Sequence, residues 1–149
     1  MIVVSSGEPA GIGPDIVLDA LTNEPNLDAC ISVTGDPAVL RERATCLGLD
    51  VCIREIDSTK SVPVHQPGQI HVIPAPVSAH VVPGVLNPGN AASVIDCIDL
   101  ATQLCLRGKA GAMVTAPVHK AAINDGGIAF QGHTEWIAKR TGCELPVMM

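Results

Sequence analysis

The chain has 149 residues, 47% of them hydrophobic and 16% charged, with a formal net charge of -6. That length and apolar content suit one domain with its own core and exclude disorder, while the apolar runs stop short of the ~18 residues of a membrane span. Lys and Arg form no cluster, which argues against a nucleic-acid partner, and the opening Met1-Ile2-Val3-Val4-Ser5 has neither the basic start nor the long apolar centre of a secretory signal.

Residues 2–5 read as a first strand. Gly7, Gly11 and Gly13 then permit a tight turn, and Pro14 with Asp15 suits a first helical turn. Strand, glycine loop and helix together outline a possible phosphate cradle, but the spacing matches neither standard nucleotide-binding pattern and a plain tight turn is the simpler reading. The helix is predicted to bury Ile16, Val17, Ala20 and Leu21. A second strand covers 29–34. Asp36-Pro37 opens a helix that Gly48 stops. A third strand is predicted over 49–56, and 57–68 is a polar loop in which His65 reads as solvated. A fourth strand spans 69–73, with His71 facing opposite Ile70 and Val72.

Residues 74–88 hold four prolines and form a long connection of the kind that often binds. A long helix follows, about 89–107, with Ala91, Val94, Ile95, Ile98, Ala101, Leu104 and Cys105 in one apolar stripe. Gly108 ends it. A strand over 111–115, a short helix over 118–123, a turn at 124–127 and a last helix over 134–141, stopped by Gly142, complete the pattern. Alternating strands and helices predict an α/β fold, one lobe over residues 1–149, with a largely parallel sheet and helices on both faces. The six Cys (30, 46, 52, 97, 105 and 143) include no Cys-x-x-Cys pair and read as reduced core thiols of a cytoplasmic protein. Pro146-Val147-Met148-Met149 reads as the opening of a buried strand, which implies the first part of a longer protein.

The chemistry concentrates after the 111–115 strand. Pro117 ends that strand, and within about 20 residues of it come His119, Lys120, Asp125, His133, Thr134 and Glu135. Ligands of open α/β sheets bind where strands end, so this cluster is the candidate site, against the plainer reading of a polar surface loop.

Three stretches carry a resemblance. Gly7-Glu8-Pro9-Ala10-Gly11-Ile12-Gly13-Pro14, Thr115-Ala116-Pro117-Val118-His119-Lys120 and Phe130-Gln131-Gly132-His133-Thr134-Glu135 are similar to the 4-hydroxythreonine-4-phosphate dehydrogenase family, and Asn87-Pro88-Gly89-Asn90 and Val147-Met148-Met149 fit the same pattern. The resemblance covers the first half of the family's chain. It implies the isocitrate/isopropylmalate dehydrogenase-like fold and a homodimer with its active site near the interface. It implies oxidation of 4-phosphooxy-L-threonine by NAD or NADP with loss of CO2, in pyridoxal phosphate biosynthesis. A divalent metal (Zn, Mg or Co) would be held by three histidines beyond residue 149, so His65, His71, His80 and His119 are not nominated as ligands.

The resemblance maps His133 and Thr134 onto substrate contacts. A phosphorylated, carboxylated substrate calls for cations and hydrogen-bond donors: Lys120, a protonatable His133 and the Thr134 hydroxyl. Lys120 is a candidate catalytic residue, as general base or as charge holder. Thr134 is a candidate helix cap as well as a substrate contact. Two other readings stand beside this one: a dehydrogenase of another 4-phosphorylated sugar acid (threonate or erythronate phosphate), and an inactive fragment or binding lobe.

Overall fold

The computed structural model describes residues 1–24, 27–58, 61–144 and 146. Five short strands, β1 (Ile2–Ser5), β2 (Ile31–Gly35), β3 (Cys52–Glu55), β4 (Gln69–Pro74) and β5 (Ala112–Thr115), form one sheet in the order β3-β4-β2-β1-β5. Every pairing is parallel. Parallel neighbours require crossovers, and helices supply them. α1 (Gly13–Asn23) and α2 (Pro37–Cys46) pack on one face, where Val17, Leu18, Leu21 and Leu40 meet Ile31, Val33, Ile70 and Val72. α3 (Ala91–Leu106) covers the other face, where Ala101 and Leu104 meet Val3 and Ile73. Val3 and Ile73 point one way and Val33 and Val72 the other, as strand alternation demands.

A third apolar cluster joins α3 to the last two helices, α4 (Lys120–Asp125) and α5 (His133–Thr141). Val94, Ile95 and Ile98 meet Ile123 and Phe130, with Trp136 and Ile137 packed against them. α5 is also held by a polar clamp. The Asp99 carboxylate of α3 accepts hydrogen bonds from Trp136 Nε1 (2.8 Å), Arg140 Nε (2.9 Å) and Arg140 Nη2 (2.6 Å).

The expected elements are present, with differences that follow from burial and capping. β3 is shorter than 49–56, because Leu49 and Val51 pack on the core before the ladder begins at Cys52. The long helix opens as a 3-10 turn at Pro88–Asn90, where Asn87 accepts from the Gly89 N–H, and becomes α-helical at Ala91. The helix after β5 starts at Lys120, because the His119 side chain caps it. In α1 the predicted stripe is rotated: Val17, Leu18 and Leu21 are buried, whereas Ile16 and Ala20 face outward. Leu18, absent from the expected stripe, is fully buried because α1 is pressed against both the sheet and α2. In α3 the stripe is buried as expected except for Cys105, which is half-buried.

His65 is a clear correction. It is buried at 9% exposure, with its N–H donating to Ala29 O and its Nε2 without a hydrogen-bond partner. The loop carrying it folds back over the start of β2, so a polar loop does not leave it solvated. The cysteines need a second correction. All six are free, but only Cys97 is buried, and Cys46, Cys52 and Cys143 are exposed at helix and strand termini. The strand opening predicted at 146–149 lies, apart from Pro146, outside the described residues. No helix among the described residues is long and apolar enough to cross a membrane.

Candidate functional site

Strand order fixes where a site can form. After β1 the chain crosses to β2 through α1 on one face, and after β5 it turns into α4 on the other. β1 and β5 are neighbours, so the carboxyl-end loops 6–12 and 116–119 meet where the winding reverses, the position at which open α/β sheets hold ligands. The loops are stitched together: Ala116 N–H donates to Ser5 O (3.0 Å) and Glu8 N–H to Pro117 O (2.9 Å). Gly7 sits at φ 76°, and a Cβ there would overlap Pro117 O. A Cβ on Gly13 would overlap Ser6 O. These glycines serve close packing of backbone on backbone, as the tight-turn reading expects.

Glu8 in this loop is buried at 5% exposure. Burial raises its carboxyl above the ordinary range, opposed by the Ala10 N–H, which donates to Oε1, and by the charge of nearby His119. Glu8 belongs to no sequence pattern that marks a buried acid. Its sequence signal is only a carboxylate between glycine and proline, and burial depends on β5, more than a hundred residues away.

Lys120, His133, Thr134 and Glu135 do converge. A Cβ on Gly132 would lie 2.8 Å from Glu135 Oε2 and 3.5 Å from Lys120 Nζ, so a residue without a side chain is what lets these two charged groups close over the start of α5. His133 and Thr134 open that helix. Gly132 is its N-cap and no side chain caps it, so Thr134 is not the cap and its hydroxyl is not spent on the helix end. The Phe130 ring packs edge-on against His133 with centroids 5.9 Å apart.

His133 is half-buried, with Nε2 sealed from solvent and lacking a hydrogen-bond partner. Burial lowers its pKa, and the neighbouring Lys120 lowers it further. Both effects favour the neutral ring near pH 7. Lys120 is the exposed cation of the group. A buried polar atom without a partner carries a free-energy cost, and Ser5 Oγ, Thr22 Oγ1 and His65 Nε2 share that state. Below it, Met113, Thr115, His133, Thr134, Ile137 and Thr141 line an open cleft of about 580 Å³ between β5, α3 and α5.

The remaining histidines stand elsewhere. His71 lies inside β4, buried and held neutral by burial, Arg54 and His65. His80 is exposed on the 74–88 connection. That connection is pinned by Val77 N–H to Asp36 Oδ2, Ala79 N–H to Asn90 Oδ1 and Gly84 N–H to Ala10 O. His119 accepts the Ala122 N–H through Nδ1 (3.2 Å), which fixes the ring as cap of α4. Among the described residues, no group of three or more His, Cys, Asp or Glu converges on a point where a metal could be held.

An all-parallel α/β sheet with helices on both faces defines the class, a doubly wound α/β protein, in which Lys120, His133 and Thr134 follow strand β5. The chain belongs to the pyridoxal phosphate biosynthetic protein PdxA family, whose profile matches residues 27–149. It is 47% identical over 148 residues to a 4-hydroxythreonine-4-phosphate dehydrogenase of Methylococcus capsulatus, covering 99% of this chain and 44% of that relative. It is 44% identical to one of Thioalkalivibrio sulfidiphilus over the same shares. Among solved structures it is similar to the 4-hydroxythreonine-4-phosphate dehydrogenase of Klebsiella pneumoniae, with a TM-score of 0.86 and 34% identity, covering 95% of this chain and 44% of that one. The chain thus spans somewhat under half the length of the relatives it matches.

Proposed function

We propose that residues 1–149 are one lobe of a two-lobed, cytoplasmic, homodimeric 4-hydroxythreonine-4-phosphate dehydrogenase with the isocitrate/isopropylmalate dehydrogenase-like fold. Its substrate is 4-phosphooxy-L-threonine, oxidised at the 3-hydroxyl and then decarboxylated in pyridoxal phosphate biosynthesis. The observation that supports this reading is the opening of α5 after β5, where His133 and Thr134 line one cleft and the Lys120 charge acts on His133.

NAD or NADP supplies the hydride acceptor when bound, and a divalent metal held by histidines outside these residues lowers the cost of removing the hydroxyl proton. This chain's residues bind and orient. The Lys120 ammonium offsets the substrate's negative charge. His133 and the Thr134 hydroxyl, which line the cleft, supply polar contacts to the substrate. Met113 and Ile137 give the open cleft part of an apolar wall.

The test is made in the family-length enzyme. His133→Ala removes a hydrogen bond to a charged group worth about 1.5–3 kcal/mol, so kcat/KM for the phosphorylated substrate falls roughly tenfold to a hundredfold. The KM for NAD stays put. Thr134→Val acts in the same direction more weakly, with an unchanged Tm, since Thr134 caps nothing. Full activity of both variants at limiting substrate overturns the assignment. The 149-residue chain alone is expected to be inactive.

A further inference from the structure

α5 presents two functional residues on its first turn, yet little holds it in place. It has nine residues, and Ala138, at 9% exposure, is its one buried residue. Trp136 and Ile137 add half-buried apolar contact with α3. Apolar contact is non-directional, so by itself it leaves a short helix free to turn or slide. The Asp99 clamp is directional. Three hydrogen bonds converge on that carboxylate, two of them the bidentate Arg140 pair. The Arg140 guanidinium also sits 4.7 Å from the centre of the Trp136 ring.

Position along the helix gives the clamp its reach. His133, Trp136, Ile137 and Arg140 follow the spacing i, i+3, i+4, i+7 and share one face. Trp136 touches Phe130 with ring centroids 5.8 Å apart, and Phe130 touches His133 edge-on. Asp99, Trp136, Phe130 and His133 are thus a continuous chain of contacts, from the middle of α3 to the imidazole with the unmatched Nε2. We propose that Asp99 is a positioning residue that fixes the rotation and axial placement of α5, and thereby the aim of His133 and Thr134 into the cleft. The inference rests on the substrate role proposed for those two residues.

Asp99→Ala removes all three bonds. Arg140→Met removes two, keeps Asp99 bonded to Trp136 and preserves much of the side chain's bulk. In the full-length enzyme both variants raise the KM for the phosphorylated substrate by roughly tenfold or more, since misplacement of binding groups by about 1 Å is that costly, and both leave the KM for NAD unchanged. The second readout is the His133 imidazole proton resonance, followed against pH. The Lys120 charge acts on it from α4, and a turned α5 changes the distance between them, so the midpoint moves. Asp99→Glu restores part of each effect, which a merely bulky role would not. A moved titration with an unchanged substrate KM keeps the clamp and removes His133 from the substrate site. An unmoved titration and unchanged substrate KM in Arg140→Met, with His133→Ala still defective, overturns the clamp and leaves the substrate role standing.

Discussion

At the scale of single residues, the molecule carries polar groups that its burial does not favour. His71 sits inside β4 with its pKa lowered, first by burial and then by Arg54 and His65, and His65 beside it is itself buried with an unmatched Nε2. A lowered folded pKa means that the folded state prefers the neutral ring. The stability contribution is then complete above the unfolded value of about 6.5 and is lost as pH falls through the folded value. His133 has the same sign. Melting between pH 7 and pH 5 should therefore show Tm falling with acid, and His71→Asn should flatten that slope without abolishing it. Identical slopes in the two proteins would count against His71 as an acid-labile group. Glu8 has the opposite sign, since its raised carboxyl favours the protonated folded state. It opposes stability at neutral pH.

At the scale of elements, Asp36 does the most with one side chain. Its Oδ1 accepts from Ala38 N–H (2.7 Å) and Val39 N–H (3.2 Å) at the start of α2, and its Oδ2 accepts from Val77 N–H (2.8 Å) in the 74–88 connection. It therefore caps a helix and tethers the loop that crosses the strand ends. Asp36→Ala should cost about 2 kcal/mol, a Tm loss of roughly 4–8 °C for a chain of this size. Asp36→Asn keeps one accepting oxygen for α2 and loses the Val77 acceptor, so its loss should be smaller. Equal melting of the alanine variant and the parent would show that the two connections are held by something else. The Asp15–Arg43 pair plays a comparable part between α1 and α2, with both bonds at 2.7 Å and both side chains mostly buried.

At the scale of the whole molecule, sheet order dictates where the structure is tight. β1, β2 and β4 are flanked on both sides, whereas β3 and β5 are edges of the described sheet, with Val114 on β5 half exposed. Hydrogen exchange on the 149-residue chain should protect the amides of β1, β2 and β4 most, and those of β3 and β5 should exchange sooner. Equal protection in β5 and β1 would show that the β5 edge is covered in solution.

The sequence by itself determined the alternation of elements, the parallel sheet, the caps at Asp36 and Gly142, and the clustering of Lys120, His133 and Thr134 after β5. Those are local properties: period, turn chemistry and short separations along the chain. The three-dimensional structure alone decided which face of α1 is inside, that His65 and Glu8 are buried, that most of the cysteines are not, and that burial and Lys120 favour the neutral ring of His133. It also decided the clamp from Asp99 to α5. Each of these depends on a partner far away in sequence, β5 for Glu8 and α3 for α5. Burial and charge proximity are sums over such distant neighbours, and no local pattern of residues encodes them.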